Sequence, residues 1–396
     1  MSKAIDQLCG KYVTDGPLSH LHLFLSVDGR ILIDRCHGDA RADGTPLTGD
    51  SLYRMASMTK PVTIAAVLKL VEEGRLALDM PVARLLPEMA AMTLWTGEVD
   101  PDGAFLSRPC ERAMTIFDLL RHSAGFTYSI HGESALDRAY ALHNLDNFQQ
   151  RRTGDEYAAV LAELPLLFAP GERFHYSASI DLLGVVLERA TGQRAEDAIH
   201  RLLFEPLGMK DSFFVVPPEC LDRLTDAWFM ESEGAPPTLY DRGGQSRWRI
   251  TPKSVSTGAG LVSSVRDYHR FLTMILRGGE IDGTRILSRQ SVDLMLRNHL
   301  PGGGDLVGEG AVPPSETPRA GVGMGLGGAV LLDPVRAGLP GSVGTWFWGG
   351  IVSTGFFLDP VRRMIGLVMT QLMPSGMTRV REDFRRVVYD AMAEEV

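Results

Sequence analysis

Strand-like sequence lies at the two ends of this chain and helix-like sequence lies between them. That distribution limits the architecture more than any other feature. Residues 21–36 read LHLFLSVDGRILIDRC, two apolar runs around Asp28-Gly29, a strong signal for a two-residue hairpin. Near the other end, GGAVLLDP (327–334), GTWFWGG (344–350), STGFFLDP (353–360) and RMIGLVMTQ (363–371) are short strands divided by Gly and Asp-Pro turns. Outside these strands, Ile5, Leu8, Cys9 and Tyr12 recur at helical spacing, as do Met377, Val380, Phe384, Val387, Val388 and Ala391. The interior shows helical periods at 60–73, 115–122, 155–164, 179–190, 195–203 and 264–277.

The simplest assembly is an α+β fold. One antiparallel sheet is built from both chain termini and flanked by the terminal helices, with a large, mostly helical domain inserted. The expected boundaries are residues 1–56 plus 320–396 for the sheet domain and 57–319 for the helical one. The Gly- and Pro-rich stretch 300–328 reads as a loop, either mobile beside a site or a solvated crossover.

With 396 residues, 44% hydrophobic and 22% charged, the chain has ordinary globular composition. A net charge of -9 argues against nucleic acid or an anionic membrane surface as partner. No run approaches the roughly 20 apolar residues of a membrane helix. The start, MSKAIDQLCGKYV, lacks the apolar core of a secretory signal, so a cytoplasmic protein is expected. Cys9, Cys36, Cys110 and Cys220 show no paired spacing and read as free, mostly buried thiols.

Within this frame one lysine stands out. The chain has 40 Lys plus Arg, of which only six are lysines (Lys3, Lys11, Lys60, Lys69, Lys210, Lys253). Lys60 occurs in MASMTKPVTIA (55–65), three residues after Ser57 and ahead of a run that is apolar nearly all round. A helix starting near Ser57 puts both side chains on one face and carries Lys60 into the core. A buried amine resists charging, and its neutral form accepts a proton from serine, which arginine cannot do. The helix N-terminus adds partial positive charge beside the nucleophile. The alternative is a chance Ser-x-x-Lys on a surface helix. The rival nucleophile motif, Gly-x-Ser-x-Gly, is absent.

Two further segments carry chemistry. In PGERFHYSASIDLLGVVLERATGQ (170–193), Tyr176 precedes a helix and can share a proton with Lys60. In TWFWGGIVSTGFFLDP (345–360), Gly349 and Gly350 would let a substrate lie close to a strand.

These three segments, in this order, resemble the serine β-lactamase and penicillin-recognising enzyme superfamily. Within it they are most similar to the class C-like branch and the family VIII carboxylesterases. LLRHSAGFTY (119–128), PLGMKDSFF (206–214) and TGAGLVSSVRDYHRFLTMIL (257–276) add to the likeness, which spans nearly the whole chain. The resemblance implies that Ser57 is the acylated nucleophile, Lys60 its activating partner and Tyr176 the general base. It implies an oxyanion hole from the backbone N–H groups of Ser57 and Ile351, where such donors are typically worth ~3 kcal/mol each. It implies no metal or organic cofactor.

Two departures bear on substrate. The family's Tyr-x-Asn is here Tyr176-Ser177-Ala178, and its Lys-Thr-Gly is here Trp348-Gly349-Gly350. Groups that would hold a lactam's amide and carboxylate are missing, and a site loses much affinity when such a partner goes. The expected activity is hydrolysis of short-chain carboxylic esters, small uncharged molecules, through an acyl-enzyme, with weak β-lactamase activity at most. The alternatives are a β-lactamase or D-amino-acid peptidase, an acyltransferase, or a catalytically silent binding protein. A homodimer is left open.

Phe126, Tyr128, Trp228 and Trp346 are candidates for the pocket wall, against core packing as the default for aromatics. His20 and His22 share a strand face but lack a third metal ligand. His122 reads as structural, and for His175 contact with the site is the lesser alternative to a structural role. Arg362-Arg363 and Arg385-Arg386 read as solvated pairs.

Overall fold

The computed structural model describes residues 1–132, 134–307 and 320–393. The hairpin forms where the sequence puts it: His20–Val27 and Arg30–Gly38 pair antiparallel across Asp28 and Gly29. Both turn residues have positive φ, 51° and 78°, the backbone that matches a tight turn to strand twist. The first strand also pairs with Met364–Met369, from His22 opposite Met369 to Val27 opposite Met364. Among the described residues the sheet has seven strands in the order Val322–Met324, Ala329–Leu331, Trp346–Gly349, Gly355–Asp359, Met364–Met369, His20–Val27, Arg30–Gly38. The two ends of the chain thus share one antiparallel sheet.

Strand alternation decides what each face meets. Leu21, Leu23 and Leu25 pack with Ile5, Leu8 and Cys9 of the helix Ser2–Cys9 and with Phe384 and Val388 of the helix Val380–Ala393. Phe24, Ile365 and Leu367 belong to the larger core on the other side, with Val62, Ile64 and Phe271 of the helices Thr59–Glu72 and Val265–Leu276. Full burial of one such side chain is worth roughly 1.5–3 kcal/mol. Because both faces are covered, His20 and His22 are buried. His22 Nε2 donates to Asp34 at 2.7 Å and its Nδ1 lies 3.1 Å from the Tyr53 hydroxyl.

The interior is less uniformly helical than its periodicity suggests. Thr93–Val99 pairs with Phe105–Pro109, and Ala227–Phe229 joins Thr238–Asp241 and Leu372–Met373 in a small sheet. These strands are short and carry little apolar alternation, so no period marks them. The end of the 300–328 segment is also not loop: Val322–Met324 is the sheet's edge strand, three residues diluted by Gly323. Residues 308–319 of that segment lie outside the described residues. The four cysteines are free, but only Cys9 is buried; the other three are partly exposed. Among the described residues no helix is long and apolar enough to cross a membrane.

Candidate active site

Ser57 sits on a tight turn between the strand Tyr53–Arg54 and the helix Thr59–Glu72. Ala56 takes a φ of 47°, left-handed for a residue with a side chain, and residues Ala56–Met58 form one 3-10 turn before the helix begins. Such a backbone costs about 1 kcal/mol or more and persists only where neighbours enforce it. Here they come from both layers. Thr59 Oγ1 donates to Ala56 O at 2.6 Å, the Tyr268 hydroxyl to Met58 O at 2.8 Å, and Thr354 Oγ1 to Met55 O at 3.2 Å. Buried Arg54 anchors the strand before the turn. It donates to Asp241, to Thr225 O at 2.7 Å and to Ser246 Oγ at 3.1 Å.

Ser57, Lys60 and Tyr176 meet. The Tyr176 hydroxyl donates to Ser57 Oγ at 2.8 Å, and Lys60 Nζ lies 3.3 Å from the same oxygen. Lys60 Nζ also donates to Gly258 O at 2.9 Å and stands 4.7 Å and 5.3 Å from the ring centroids of Tyr176 and Tyr128. Lys60 and Tyr176 are each 2% exposed, so the serine oxygen faces two proton-bearing groups shielded from bulk water. The Tyr176 ring is walled by His122, Tyr128 and Trp348, with centroids 4.8, 5.5 and 5.5 Å away. Its backbone is pinned where His131 Nε2 donates to Tyr176 O at 2.7 Å. His122 Nδ1 accepts from Ser177 N–H at 3.2 Å. Burial first, and the Lys60 charge next, hold the His122 imidazole well below the usual histidine range and keep it neutral.

A cleft of about 650 Å³, counting its open mouth, contains these groups together with Tyr128, Trp348, Gly349, Gly350 and Ile351. A second cavity, about 540 Å³, lies beyond Trp348 and Gly349 under the C-terminal helix. It holds none of Ser57, Lys60 and Tyr176, so the chemistry belongs to the first.

Sequence reasoning missed two acids in this cleft. Asp181, in the first turn of the helix Ser179–Thr191, accepts from Tyr128 OH at 3.0 Å, Ser256 Oγ at 2.6 Å and Gly258 N–H at 3.1 Å. It therefore fixes the turn whose carbonyl takes Lys60. Asp146 lies nearby. Burial, with Asp181 adding to it, pushes its carboxyl up to about 6, while hydrogen bonds from Ser129 oppose the rise. Asp181 lies five residues after Tyr176 inside a quoted segment. Asp146 had no signal at all.

The two glycines of Trp-Gly-Gly serve the protein's own packing as well as lining the cleft. A Cβ on Gly350 would lie 2.5 Å from Met55 O and from Thr354 Oγ1, so the bare backbone closes against the nucleophile turn. A Cβ on Gly349 would overlap Arg381. Other candidates fall away. Phe126, expected in the pocket, is 1% exposed and packs in the core, as does Trp346. Trp228 packs under the terminal helices, on the far side of the sheet. His175 bonds Thr127 Oγ1 at 3.0 Å and stacks on His131, outside the cleft lining. Of the arginine pairs, Arg385 is buried, over the Phe347, Phe357 and Tyr389 rings, rather than solvated.

Fold and site define an enzyme of the serine hydrolase type built on an antiparallel sheet with helices on both faces. The β-lactamase family model matches residues 6–390, and the chain belongs to that family, within the superfamily of serine β-lactamases and penicillin-binding proteins. It is 34% identical over 373 residues to esterase EstB of Burkholderia gladioli, covering 88% of this chain and 85% of that one. It is 29% identical over 354 residues to the lovastatin esterase of Penicillium rubens, covering 86% and 85%. Among solved structures, EstCE1, described as a hydrolase with promiscuous acyltransferase activity, superposes with a TM-score of 0.79 at 26% identity over 98% of each chain. A mutant simvastatin synthase from Aspergillus terreus gives 0.82 at 25% identity, over 98% of this chain and 95% of that one.

Proposed function

We propose that this protein is a carboxylesterase that cleaves short-chain, uncharged esters through an acyl-enzyme on Ser57. The observation that carries the reading is the convergence of Tyr176 OH and Lys60 Nζ on Ser57 Oγ. Ser57 Oγ attacks the ester carbonyl carbon, and its proton passes to the Tyr176–Lys60 pair in the state where the pair is one proton short, one member accepting from Oγ. The backbone N–H groups of Ser57 and Ile351 receive the developing oxyanion. The pair returns the proton to the departing alkoxide, leaving the acyl group on Ser57. Water then repeats the sequence, attacking the acyl carbon while the same pair takes and returns its proton.

Substrate class follows from what else faces the cleft. Trp348 lines the cleft where the family's sequence has a lysine, Ala178 replaces the family's amide in the Tyr-x-Asn sequence, and the further charges in the lining are the carboxylates Asp146 and Asp181. Such a wall repels an anionic substrate and suits an uncharged one. The names of EstB and the lovastatin esterase agree with an esterase. A second reading, transfer of the acyl group to an alcohol, is favoured by relatives such as the monacolin J acid methylbutanoyltransferase of Aspergillus terreus, 28% identical over 342 residues.

The test begins with intact-mass analysis after a fluorophosphonate probe, which should give one adduct, on Ser57. p-Nitrophenyl acetate and butyrate are then compared with a chromogenic cephalosporin. The short esters should show far the higher kcat/KM; a cephalosporin at or above the best ester overturns the esterase reading. Added alcohol that diverts most of the acyl group from acid to ester would identify a transferase.

A further inference from the structure

We propose that Arg381 is a positioning residue for the oxyanion hole, acting through the Gly350–Ile351 peptide. The inference rests on the serine hydrolase reading above and deepens it. Arg381 lies in the first turn of the helix Val380–Ala393 and donates through Nη2 to Gly350 O. That oxygen belongs to the same peptide unit as the Ile351 N–H. The unit is planar and trans, so its carbonyl and N–H point in opposite directions. A cation anchored on the carbonyl side therefore sets where the N–H aims. Among the described residues the Ile351 N–H donates to no acceptor, and Ile351 lines the cleft beside Ser57.

The sheet is built to admit this arginine. Gly349 and Gly355 stand directly opposite each other in the strand pairing. They share a face with Phe357, which packs toward the terminal helices. A Cβ on Gly349 would overlap the Arg381 guanidinium, and one on Gly355 would lie 3.0 Å from Arg381 Cδ. The paired glycines leave a slot along the sheet that the arginine stem occupies, and its head reaches the next peptide. Ser353 N–H, at 3.0 Å, is the carbonyl's second donor, so the plane is held from two directions.

The physical consequence is twofold. Orientation keeps the N–H on the position of the oxyanion instead of letting the Gly350 turn rock. Positive charge at the carbonyl oxygen draws electron density through the amide and strengthens the N–H as a donor. Both effects grow as negative charge develops on the substrate oxygen, so they act on the transition state more than on bound ester. Arg381 does not line the catalytic cleft, and its loss should leave substrate contacts in place.

The experiment compares wild type with Arg381→Gln and Arg381→Ala. With p-nitrophenyl acetate, Arg381→Gln should lower kcat about 10- to 100-fold, less than outright removal of a donor, with KM within about twofold. Affinity for an alkyl boronic acid, whose tetrahedral adduct on Ser57 carries an oxygen in the oxyanion position, should fall in parallel. In Arg381→Ala, about 50 mM guanidinium chloride should restore part of the lost kcat by filling the vacated slot, and should do nothing for wild type. Melting temperature is followed beside each rate. Should these variants fail to fold, Gly355→Ala, whose methyl would press on the Arg381 stem from outside the cleft lining, must show the same kcat loss. A kcat within twofold of wild type, unchanged boronate affinity, or no guanidinium rescue in a folded variant overturns the proposal. A wild-type enzyme that takes no fluorophosphonate at Ser57 overturns the hydrolase reading and this proposal together. Labelled wild type with normal Arg381 variants overturns this proposal alone.

Discussion

Lys60 Nζ is held 2.9 Å from the carbonyl oxygen of Gly258, a residue 198 positions further along the chain. The bond aims the amine at Ser57, and Asp181 fixes the turn that supplies it. The lysine is thus seated by a carbonyl that demands a donor, in a pocket between two tyrosine rings.

The first prediction concerns that seat. Lys60→Arg should be nearly as inactive as Lys60→Ala. Arginine keeps the charge but cannot release a proton at working pH, and its planar fork does not fit a site made for a compact amine. A well-folded Lys60→Arg enzyme, checked by melting temperature, with near-normal kcat would show that Lys60 acts only as a charge.

Ser57→Ala should abolish ester hydrolysis and leave melting unchanged, because the turn is held by backbone and neighbouring side chains rather than by the serine oxygen. Retention of more than about a tenth of wild-type kcat, a loss of only ~1.4 kcal/mol, would rule the serine out as nucleophile.

Asp146 should make stability pH-dependent. Its carboxyl is pushed from 3.8 to about 6 on folding, chiefly by burial. At low pH both states are protonated and the group contributes nothing. As pH rises through this window the unfolded chain releases the proton first, so stability falls, and above it the full cost remains, on the order of 2–3 kcal/mol. Asp146→Asn removes the ionisation and can still accept from Ser129. Its gain in urea midpoint over wild type should widen between pH 5 and pH 8; a pH-independent difference would contradict the assignment.

Arg54→Met should cost up to about 3–5 kcal/mol, because it takes away the buried cation of the Asp241 carboxylate and leaves it the longer Arg247 contact at 3.7 Å with hydrogen bonds from Ser246 Oγ and Arg247 N–H. The double change Arg54→Met with Asp241→Leu should recover part of that in denaturant melts. If the double variant is no more stable than the single one, the loss comes from the Thr225, Ser246 and Gln371 contacts instead.

Local features were legible in the chain because they depend on backbone period alone. Asp28-Gly29 makes its turn wherever two strands flank it, and alternation along 21–27 separates Leu21, Leu23 and Leu25 from Phe24. A spacing of three residues on a helix brings Lys60 to Ser57 by geometry. Strands at both ends leave one sheet as the simplest way to pair them. What the sequence could not decide is which faces are covered and by what. His20 and His22 are buried because a helical layer closes the sheet's second face, and Phe126 lies in the core instead of the pocket, packed among the other side chains of the large cluster. Asp181 meets Gly258, and Arg381 finds the slot between Gly349 and Gly355, across separations that carry no periodic signal. Such contacts depend on close packing between distant segments, which only the folded chain brings together.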